Sequence, residues 1–156
     1  MEKQIIVQEK EFEKARKQIQ KQKKENPKNI TIFSSDDDEL NRKILEKLPI
    51  DILLLNQKQR KDFQKQRDSG FNQVLAKIAK KNNIAIGINL DEIIEEKSPK
   101  NKAEILARIK QNIKLCNKNK LQMKFIAQKQ ENERNIYDLK ALGLILGMPT
   151  SMIRDL

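Results

Sequence analysis

The sequence predicts an α/β fold in which parallel β-strands alternate with helices as βα repeats. The first observation is the stretch 67–90, where apolar residues recur at helical spacing, at Phe71, Val74, Leu75 and Ile78. A nearly uninterrupted apolar run at 84–90 follows, and such runs are typical of strands covered on both faces of a parallel sheet. The second observation is that short apolar runs and amphipathic stretches alternate along the whole chain, which favours helices packed outside a parallel sheet.

Each predicted strand is a short apolar run, and the runs lie at residues 4–7, 30–33, 52–55, 84–90 and 121–127. The predicted helices lie at residues 9–23, 37–48, 71–81, 91–96, 102–116 and 137–146, and a final turn follows at 149–156. Helix boundaries carry ordinary signals, namely N-caps at 34–36 and at Asp68 and Ser69, and stops at Pro49 and Gly147. We predict one domain over 1–156. Five strands cannot close an eight-stranded barrel, so the sheet is open or belongs to a barrel whose other strands are missing or supplied elsewhere.

Composition excludes several kinds of site. The chain has no histidine, which excludes histidine triads, His-ligated zinc and His-rich phosphoesterase sites. It has no CxxC, GxGxxG or GxxxxGK[ST] motif, so we predict no metal and no cofactor. The single cysteine, Cys116, rules out an intrachain disulfide and fits a reducing compartment. Without a signal-peptide pattern or an apolar run of about 20 residues, we expect a cytoplasmic protein with no membrane partner.

The net charge of +11 points to a polyanionic partner, most simply nucleic acid, although an A/T-rich genome would also enrich lysine. The strongest candidate is the connector after the third strand, which we predict to bind RNA through Lys58, Arg60, Lys61, Phe63, Lys65 and Arg67. Cations around one aromatic ring suit a phosphate backbone with one stacked base. The alternative is a solvated loop with Phe63 in the core.

A second basic surface is predicted on the helix at 102–116. Lys110 and Lys114 are its candidate RNA contacts, and other cations surround them at Lys97, Lys100, Lys102, Arg108, Lys118 and Lys120. Only Glu104 offsets these charges. The alternative is a lysine-rich helix face that serves only solvation.

Carboxylates at the ends of predicted strands and starts of helices form the third candidate site: Asp68, Asp91 and Asp138. Paired carboxylates can hold a metal ion or perform acid/base catalysis. Asp68 and Asp91 also precede helices, where a carboxylate has a local role at the helix start. We therefore predict no catalytic residue.

Four motifs, in order, resemble the archaeal RNase P protein component 3 family, which has a eukaryotic relative among the RNase P/MRP subunits. They are SSDDDELNRKILE, RDSGFNQVLAKIAKKNNIAIGINL, KAEILARIKQNIKLCNKNKLQMKFIA and NIYDLKALGLILGM. The family shows an arginine-aspartate-serine-glycine motif before a helix, matched here at Arg67, Asp68, Ser69 and Gly70. It also shows a Tyr/Trp-Asp-Leu element, matched at Tyr137 and Asp138. The likeness covers most of the chain, from about Ile5 onward.

The resemblance implies a TIM-barrel-like fold, here an incomplete or shortened barrel. It also implies a non-catalytic subunit of RNase P, which supports the catalytic RNA in removing the 5′ leader of precursor tRNA. The implied partners are RNase P RNA, precursor tRNA, RNase P protein component 2 and the other RNase P proteins. A small carboxylate-metal phosphoesterase and a purely protein-binding assembly module are the alternatives.

The sequence departs from the family pattern in several places. The opening strand-helix repeats are missing, a Ser-Gly-Ala-like turn is replaced by residues 127–129, and a basic segment is shortened to Lys140-Ala141. Gln73 stands where relatives often have histidine. Because missing repeats leave sheet edges unpaired, we expect a homo-oligomer or a complex with component 2, with the contact near residues 4–7.

Overall fold

Strands and helices alternate from one end of the chain to the other in the computed structural model, which describes residues 2–156. The strands are Gln4–Gln8 (β1), Ile30–Ser34 (β2), Ile52–Leu55 (β3), Ala85–Asn89 (β4) and Met123–Ile126 (β5). The helices are Phe12–Glu25 (α1), Asp38–Lys47 (α2), Gln73–Lys81 (α3), Leu90–Glu95 (α4), Pro99–Lys118 (α5), Ile136–Leu146 (α6) and Thr150–Arg154 (α7). A short 3-10 turn spans Gln130–Asn132. This alternation confirms the predicted α/β class.

The five strands form one parallel sheet in the order β1-β2-β3-β4-β5. Each strand pairs with the next one along the chain, as when Ile32 lies opposite Ile52. The sheet is open, because β1 and β5 are its two edges. It is also strongly curved, since Gln8 Nε2 at the end of β1 donates a hydrogen bond to Gln128 Oε1 just beyond β5, at 3.1 Å. The predicted incomplete, TIM-barrel-like arrangement of βα repeats is thus confirmed.

Both faces of the sheet are buried. On the face covered by the helices, strand residues such as Phe33, Leu53 and Ile86 join helix residues such as Ile44 and Ile113 in the main apolar core. On the opposite face a smaller cluster contains Ile32, Ile52, Leu54 and Ile126. Burial on two faces explains why the strands are nearly continuous apolar runs rather than alternating ones.

The start of α3 differs from the prediction. Asn72, not Asp68 or Ser69, is the N-cap, and its Oδ1 accepts a hydrogen bond from Leu75 N at 3.0 Å. Because the chain turns at Gly70, α3 begins at Gln73 and not at Phe71. Its buried residues are Leu75, Ala76 and Ala79, and Val74 is not among them. Val74 is 55% exposed, which corrects the apolar face predicted from its spacing.

The acidic run before α2 acts as a cap, although one residue later than predicted. Asp37 Oδ1 accepts hydrogen bonds from Glu39 N at 3.0 Å and Leu40 N at 3.2 Å. Helix α5 begins at Pro99, ahead of the predicted start, because Ser98 caps it and proline suits the first helical position. Within residues 2–156, no helix combines the length and apolarity needed to cross a membrane.

Candidate nucleic-acid interface

The connector between β3 and α3, residues 56–72, lies at the carboxyl end of the sheet. Asn56 ties its start to both neighbouring strands. Its Nδ2 donates to Ser34 Oγ and Asp36 Oδ1, both at 3.1 Å, and its Oδ1 accepts from Asn89 Nδ2 at 3.0 Å. This is the end of the sheet at which parallel α/β folds carry their ligand-binding loops. The position of the connector there agrees with the prediction from the sequence.

Arg108 of α5 is hydrogen-bonded to the first half of the connector. Its side chain is 3% exposed and donates to Gln57 O at 3.0 Å, Arg60 O at 2.9 Å and Asp62 Oδ1 at 3.0 Å. The predicted position of Arg108 on an exposed basic face is wrong. Arg108 lies on the buried stripe of α5, where its planar guanidinium satisfies two carbonyl groups and one carboxylate at once.

Asp62 joins the two halves of the connector. Besides Arg108, it accepts from Arg67 Nη1 at 3.1 Å and from Asp68 N at 3.0 Å. Desolvation acts to raise the pKa of Asp62, but the hydrogen bonds from Arg108 and the Asp68 N–H outweigh it and lower the pKa below its ordinary value. Asp62 is therefore held as an anion that fixes Arg67.

Arg60 is a second internal anchor. Its side chain is 10% exposed, and Nη1 and Nη2 bind the two oxygens of Asp38 at 3.0 and 2.8 Å. Its Nε donates to Asn56 O at 2.6 Å, and Asp68 Oδ1 lies 3.5 Å from Nη1. Desolvation lowers the pKa of Arg60, but the hydrogen bond and charge of Asp38 dominate and raise it. The predicted RNA contact at Arg60 is thus a guanidinium whose donors already face protein oxygens.

The Asp68-Ser69-Gly70 motif packs against this anchor. Ser69 is buried, and its Oγ donates to Asn112 Oδ1 of α5 at 2.6 Å. Gly70 has φ of +69°, and a Cβ there would lie 2.4 Å from Arg60 Nη2 and 2.7 Å from Asp38 Oδ1. Glycine is required at this position both by the left-handed backbone and by the ion pair behind it. The motif therefore positions the connector.

Glu92 of α4 fixes the start of the connector. Its carboxylate accepts hydrogen bonds from Gln57 N at 2.7 Å and Lys58 N at 3.2 Å. Burial raises the pKa of Glu92 above its ordinary value, although the two N–H groups oppose that shift. With Arg108 on one side and Glu92 on the other, the first residues of the connector have a defined backbone path.

The remaining cations point outward. Lys58, Lys61 and Lys65 are exposed and form no salt bridge within residues 2–156, while Phe63 between them is 62% exposed. The alternative that Phe63 belongs to the core is wrong. An exposed aromatic ring flanked by free ammonium groups is the arrangement that single-stranded nucleic acid uses for stacking and phosphate contact.

The predicted contacts on α5 lie next to this loop. Gln111 Nε2 donates to Arg67 O at 3.2 Å, and Lys110 and Lys114 on either side of Gln111 are exposed. Between the connector and α3 is a groove of about 550 Å³ whose lining includes Phe63, Arg67 and Val74. The structure thus joins the middle of α5 to the connector through Gln111, whereas Lys118 and Lys120 lie at the opposite end of the sheet, near the start of β5. RNA binding by Lys110 and Lys114 stays a prediction.

The three candidate carboxylates fall into separate networks. Asp68 contacts Arg60, and buried Asp91 accepts from Gln128 N at 2.9 Å and Asn132 Nδ2 at 2.8 Å. Asp138 pairs with Asn135 at the start of α6, where the neighbouring Tyr137 is 81% exposed. In the part of the chain that the structure describes, no group of three or more Asp, Glu or Cys side chains could hold a metal ion.

The predicted sites do not include Asp62 and Asn112, and they place Arg108 on the wrong face of α5. One signal was available: Arg108 and Asn112 fall on the apolar stripe of α5 with Ile105, Ile109 and Ile113. Polar residues on a buried stripe must find partners inside the protein. That reasoning identifies the positions as buried and bonded, though not the loop that they bind.

An open sheet of consecutive parallel βα units, with a basic loop at the carboxyl ends of its strands, defines a TIM-barrel-like α/β protein with a surface suited to polyanions. Residues 4–155 match the family described as RNase P subunit p30, and the chain belongs to that family. This confirms the resemblance carried by the four sequence motifs.

Among solved structures, the chain is similar to one in the cryo-EM structure of archaeal ribonuclease P with mature tRNA. The TM-score is 0.73 at 22% sequence identity, and the match covers 96% of this chain and 62% of the other. The chain therefore spans less than two thirds of the length of that relative. Comparison with curated protein sequences gives no significant match.

Proposed function

We propose that this chain is a protein subunit of ribonuclease P, supporting the catalytic RNA as it removes the 5′ leader from precursor tRNA. The observation that carries the proposal is the family match over residues 4–155. The similar fold in an archaeal RNase P complex supports the same conclusion. The chain itself supplies no catalytic group in this proposal, and its role is to bind and position RNA.

The RNA-facing surface in this proposal is the connector together with the adjoining face of α5. Lys58, Lys61 and Lys65 provide phosphate contacts and Phe63 provides a stacking surface, because these side chains are exposed. Lys110 and Lys114 extend the same positive surface. Arg60 and Asp62 act as positioning residues that hold the connector in shape, and Arg67 borders the surface while bound to Asp62.

The partners in this proposal are RNase P RNA, precursor tRNA, RNase P protein component 2 and the other RNase P proteins. The cytoplasm is the proposed location, since a reducing compartment suits the single buried cysteine. Purifying the tagged protein from its host and sequencing the bound RNA tests the assignment. RNase P RNA should dominate, whereas a protein partner without that RNA would indicate an assembly module.

A binding experiment tests the surface itself. Replacing Lys58, Lys61 and Lys65 with alanine should weaken RNA binding. It should also make the negative slope of the log association constant against log salt shallower by about 2 to 3, at about 0.7 to 0.9 for each phosphate contact. A matched control replaces three exposed lysines of α1 and the turn after it, Lys17, Lys24 and Lys28. Equal slopes for the two triple variants would contradict the assignment of the connector.

Catalysis by the isolated chain is the competing outcome. RNA-free protein should leave precursor tRNA intact with any divalent metal, because the three candidate carboxylates lie in separate hydrogen-bond networks. Suppose that precursor tRNA is cleaved in the absence of RNase P RNA, and that Asp68→Asn abolishes this cleavage. The proposed function would then be replaced by that of a metal-dependent phosphoesterase.

A further inference from the structure

A cluster of lysines lies at the amino end of the sheet, opposite the connector. Helices α3 and α5 end there, at Lys81 and Lys118, and short turns lead from them into β4 and β5. Lys80 Nζ donates a hydrogen bond to Lys120 O at 3.0 Å, which joins the two turns. Five exposed lysines, here called the amino-end lysines, belong to these helix ends and turns: Lys77, Lys80, Lys81, Lys118 and Lys120.

Acidic residues are missing from the segments that carry these lysines. Residues 69–90 and 105–130 contain neither aspartate nor glutamate. The lysines of α1 differ, because acidic residues alternate with them and form ion pairs, such as that of Lys21 with Glu25 at 3.8 Å. Within residues 2–156, none of the amino-end lysines forms a salt bridge. An A/T-rich genome accounts for many lysines, but it does not account for the missing acids.

The helix ends do not neutralise this cluster. Lysines in a last turn offset the helix dipole, but each helix C-terminus amounts to only about −0.5 of an elementary charge. Asp51 lines the shallow cleft between the two turns, and its Oδ2 is already bound by Lys23 Nζ at 2.6 Å. Even when the charge of Asp51 is counted in full, about three positive charges of the amino-end lysines remain unopposed.

The chemistry of this surface suits the backbone of paired RNA. Lysine ammonium groups bind phosphates as point charges. The six exposed large apolar side chains of residues 2–156 belong to the connector, the first turn of α3 and α6. The amino-end turns therefore offer no ring on which an unpaired base could stack. Asn83, Asn117 and Gln122 add exposed amides, which suit the 2′-hydroxyl groups along the shallow minor groove of an RNA helix.

We propose that the amino-end lysines form a second RNA-binding surface, which contacts the phosphate backbone of a double-stranded RNA segment. The connector suits an unpaired segment because Phe63 is exposed there, so the two ends of the sheet bind different forms of RNA. Lys110, Lys114 and Lys118 follow one another at a spacing of four residues along α5, which links the two surfaces. The inference rests on the proposed function only in taking RNA as the polyanion.

Titration of the full chain into a short fluorescent RNA duplex of arbitrary sequence tests the proposal. The test variant combines four substitutions, Lys77→Gln, Lys81→Gln, Lys118→Gln and Lys120→Gln, and keeps Lys80 because its hydrogen bond joins the two turns. The variant should bind the duplex more weakly, and its salt slope should be shallower by about 3 to 4, at about 0.9 for each phosphate contact. Between about 50 and about 200 mM salt, the wild-type affinity should therefore fall about 100-fold more than that of the variant.

Two matched variants separate the effect of charge from that of folding. Arginine at the same four positions keeps the positive charge and should keep the wild-type salt slope. Glutamine at four exposed lysines in and just before α1 removes as much charge from a face with interleaved acids, and should change the slope far less; these are Lys10, Lys14, Lys17 and Lys21. Thermal unfolding followed by circular dichroism should show that all three variants are folded.

A single-stranded oligouridylate distinguishes the two surfaces. Phe63→Ala should weaken binding of the oligouridylate and leave duplex affinity unchanged, and excess oligouridylate should not displace the duplex. The proposal would be overturned if the glutamine variant kept the wild-type salt slope, if the α1 variant lost as much affinity, or if the single strand displaced the duplex.

Failure of the RNase P assignment would give a different result. The tagged protein would then be recovered without RNase P RNA, while its affinity for the duplex would still depend on the four lysines. Conversely, recovery of RNase P RNA with a duplex affinity that ignores the four lysines would leave the proposed function intact and remove the second surface.

Discussion

Replacing Gly70 with alanine is the sharpest test of how the connector is held. Two costs follow from the structure. A Cβ at φ of +69° costs about 1–2 kcal/mol in the left-handed region. The same Cβ would lie 2.4 Å from Arg60 Nη2 and 2.7 Å from Asp38 Oδ1, so the bidentate ion pair must move apart.

The second cost is smaller than that of a fully buried pair. Charged hydrogen bonds contribute about 1.5–3 kcal/mol, and the lower end applies because the Asp38 side chain is 43% exposed. Gly70→Ala should therefore lower the free energy of unfolding by about 2.5–3.5 kcal/mol in total, as measured by urea denaturation followed by circular dichroism.

Gly147→Ala is the matched control. Gly147 also has positive φ, at +93°, but nothing lies within 4 Å of a Cβ built there. It should show only the backbone cost of about 1–2 kcal/mol. In an Arg60→Ala background, the loss of unfolding free energy caused by Gly70→Ala should fall to about 1–2 kcal/mol, the value for Gly147→Ala, because the guanidinium that the Cβ displaces is absent. Equal costs at Gly70 and Gly147, or effects of Gly70→Ala and Arg60→Ala that add within about 0.5 kcal/mol, would refute the reasoning.

Other predictions concern the same network and the core. Arg108→Lys should cost about 2–3 kcal/mol in urea unfolding, because one ammonium cannot serve the three oxygens that the guanidinium binds; faster amide exchange at Gln57 would confirm the loosened connector. The pKa of Asp62 is lowered in the folded protein, because its hydrogen bonds outweigh desolvation. The Asp62 carboxylate therefore stabilises the fold fully above its unfolded pKa near 3.8, and this contribution is lost as the pH falls through the folded pKa. The free energy of unfolding of Asp62→Asn should therefore change less with pH than that of the wild-type protein over this acidic range. Burial raises the pKa of Cys116 to about 12, which lowers its thiolate population roughly 1,000-fold, and a maleimide should label it only after unfolding.

The strands could be predicted because their burial leaves a direct mark on the sequence. A parallel strand covered on both faces must be apolar at successive positions, as at Ile52–Leu55, and short links between such runs imply that neighbours in sequence are neighbours in the sheet. The start of α3 was harder, because Asp68, Ser69 and Asn72 are all good caps, and only the turn at Gly70 selects Asn72.

The roles of the cations could not be predicted from residue type. Arg60 and Lys61 are adjacent in the sequence, yet one side chain is bound to Asp38 and the other is exposed. The difference depends on partners far along the chain, such as the 46-residue separation between Asp62 and Arg108. Propensity and periodicity describe local order and carry no information on such pairings.

The hydrogen bonds that hold the connector all come from the middle of the chain. All side-chain hydrogen bonds described for the connector involve partners between Ser34 and Asn112, and none come from β1, α1, β5 or the C-terminal helices. A substitution in an edge strand or in a C-terminal helix therefore leaves the side-chain hydrogen bonds of the connector in place.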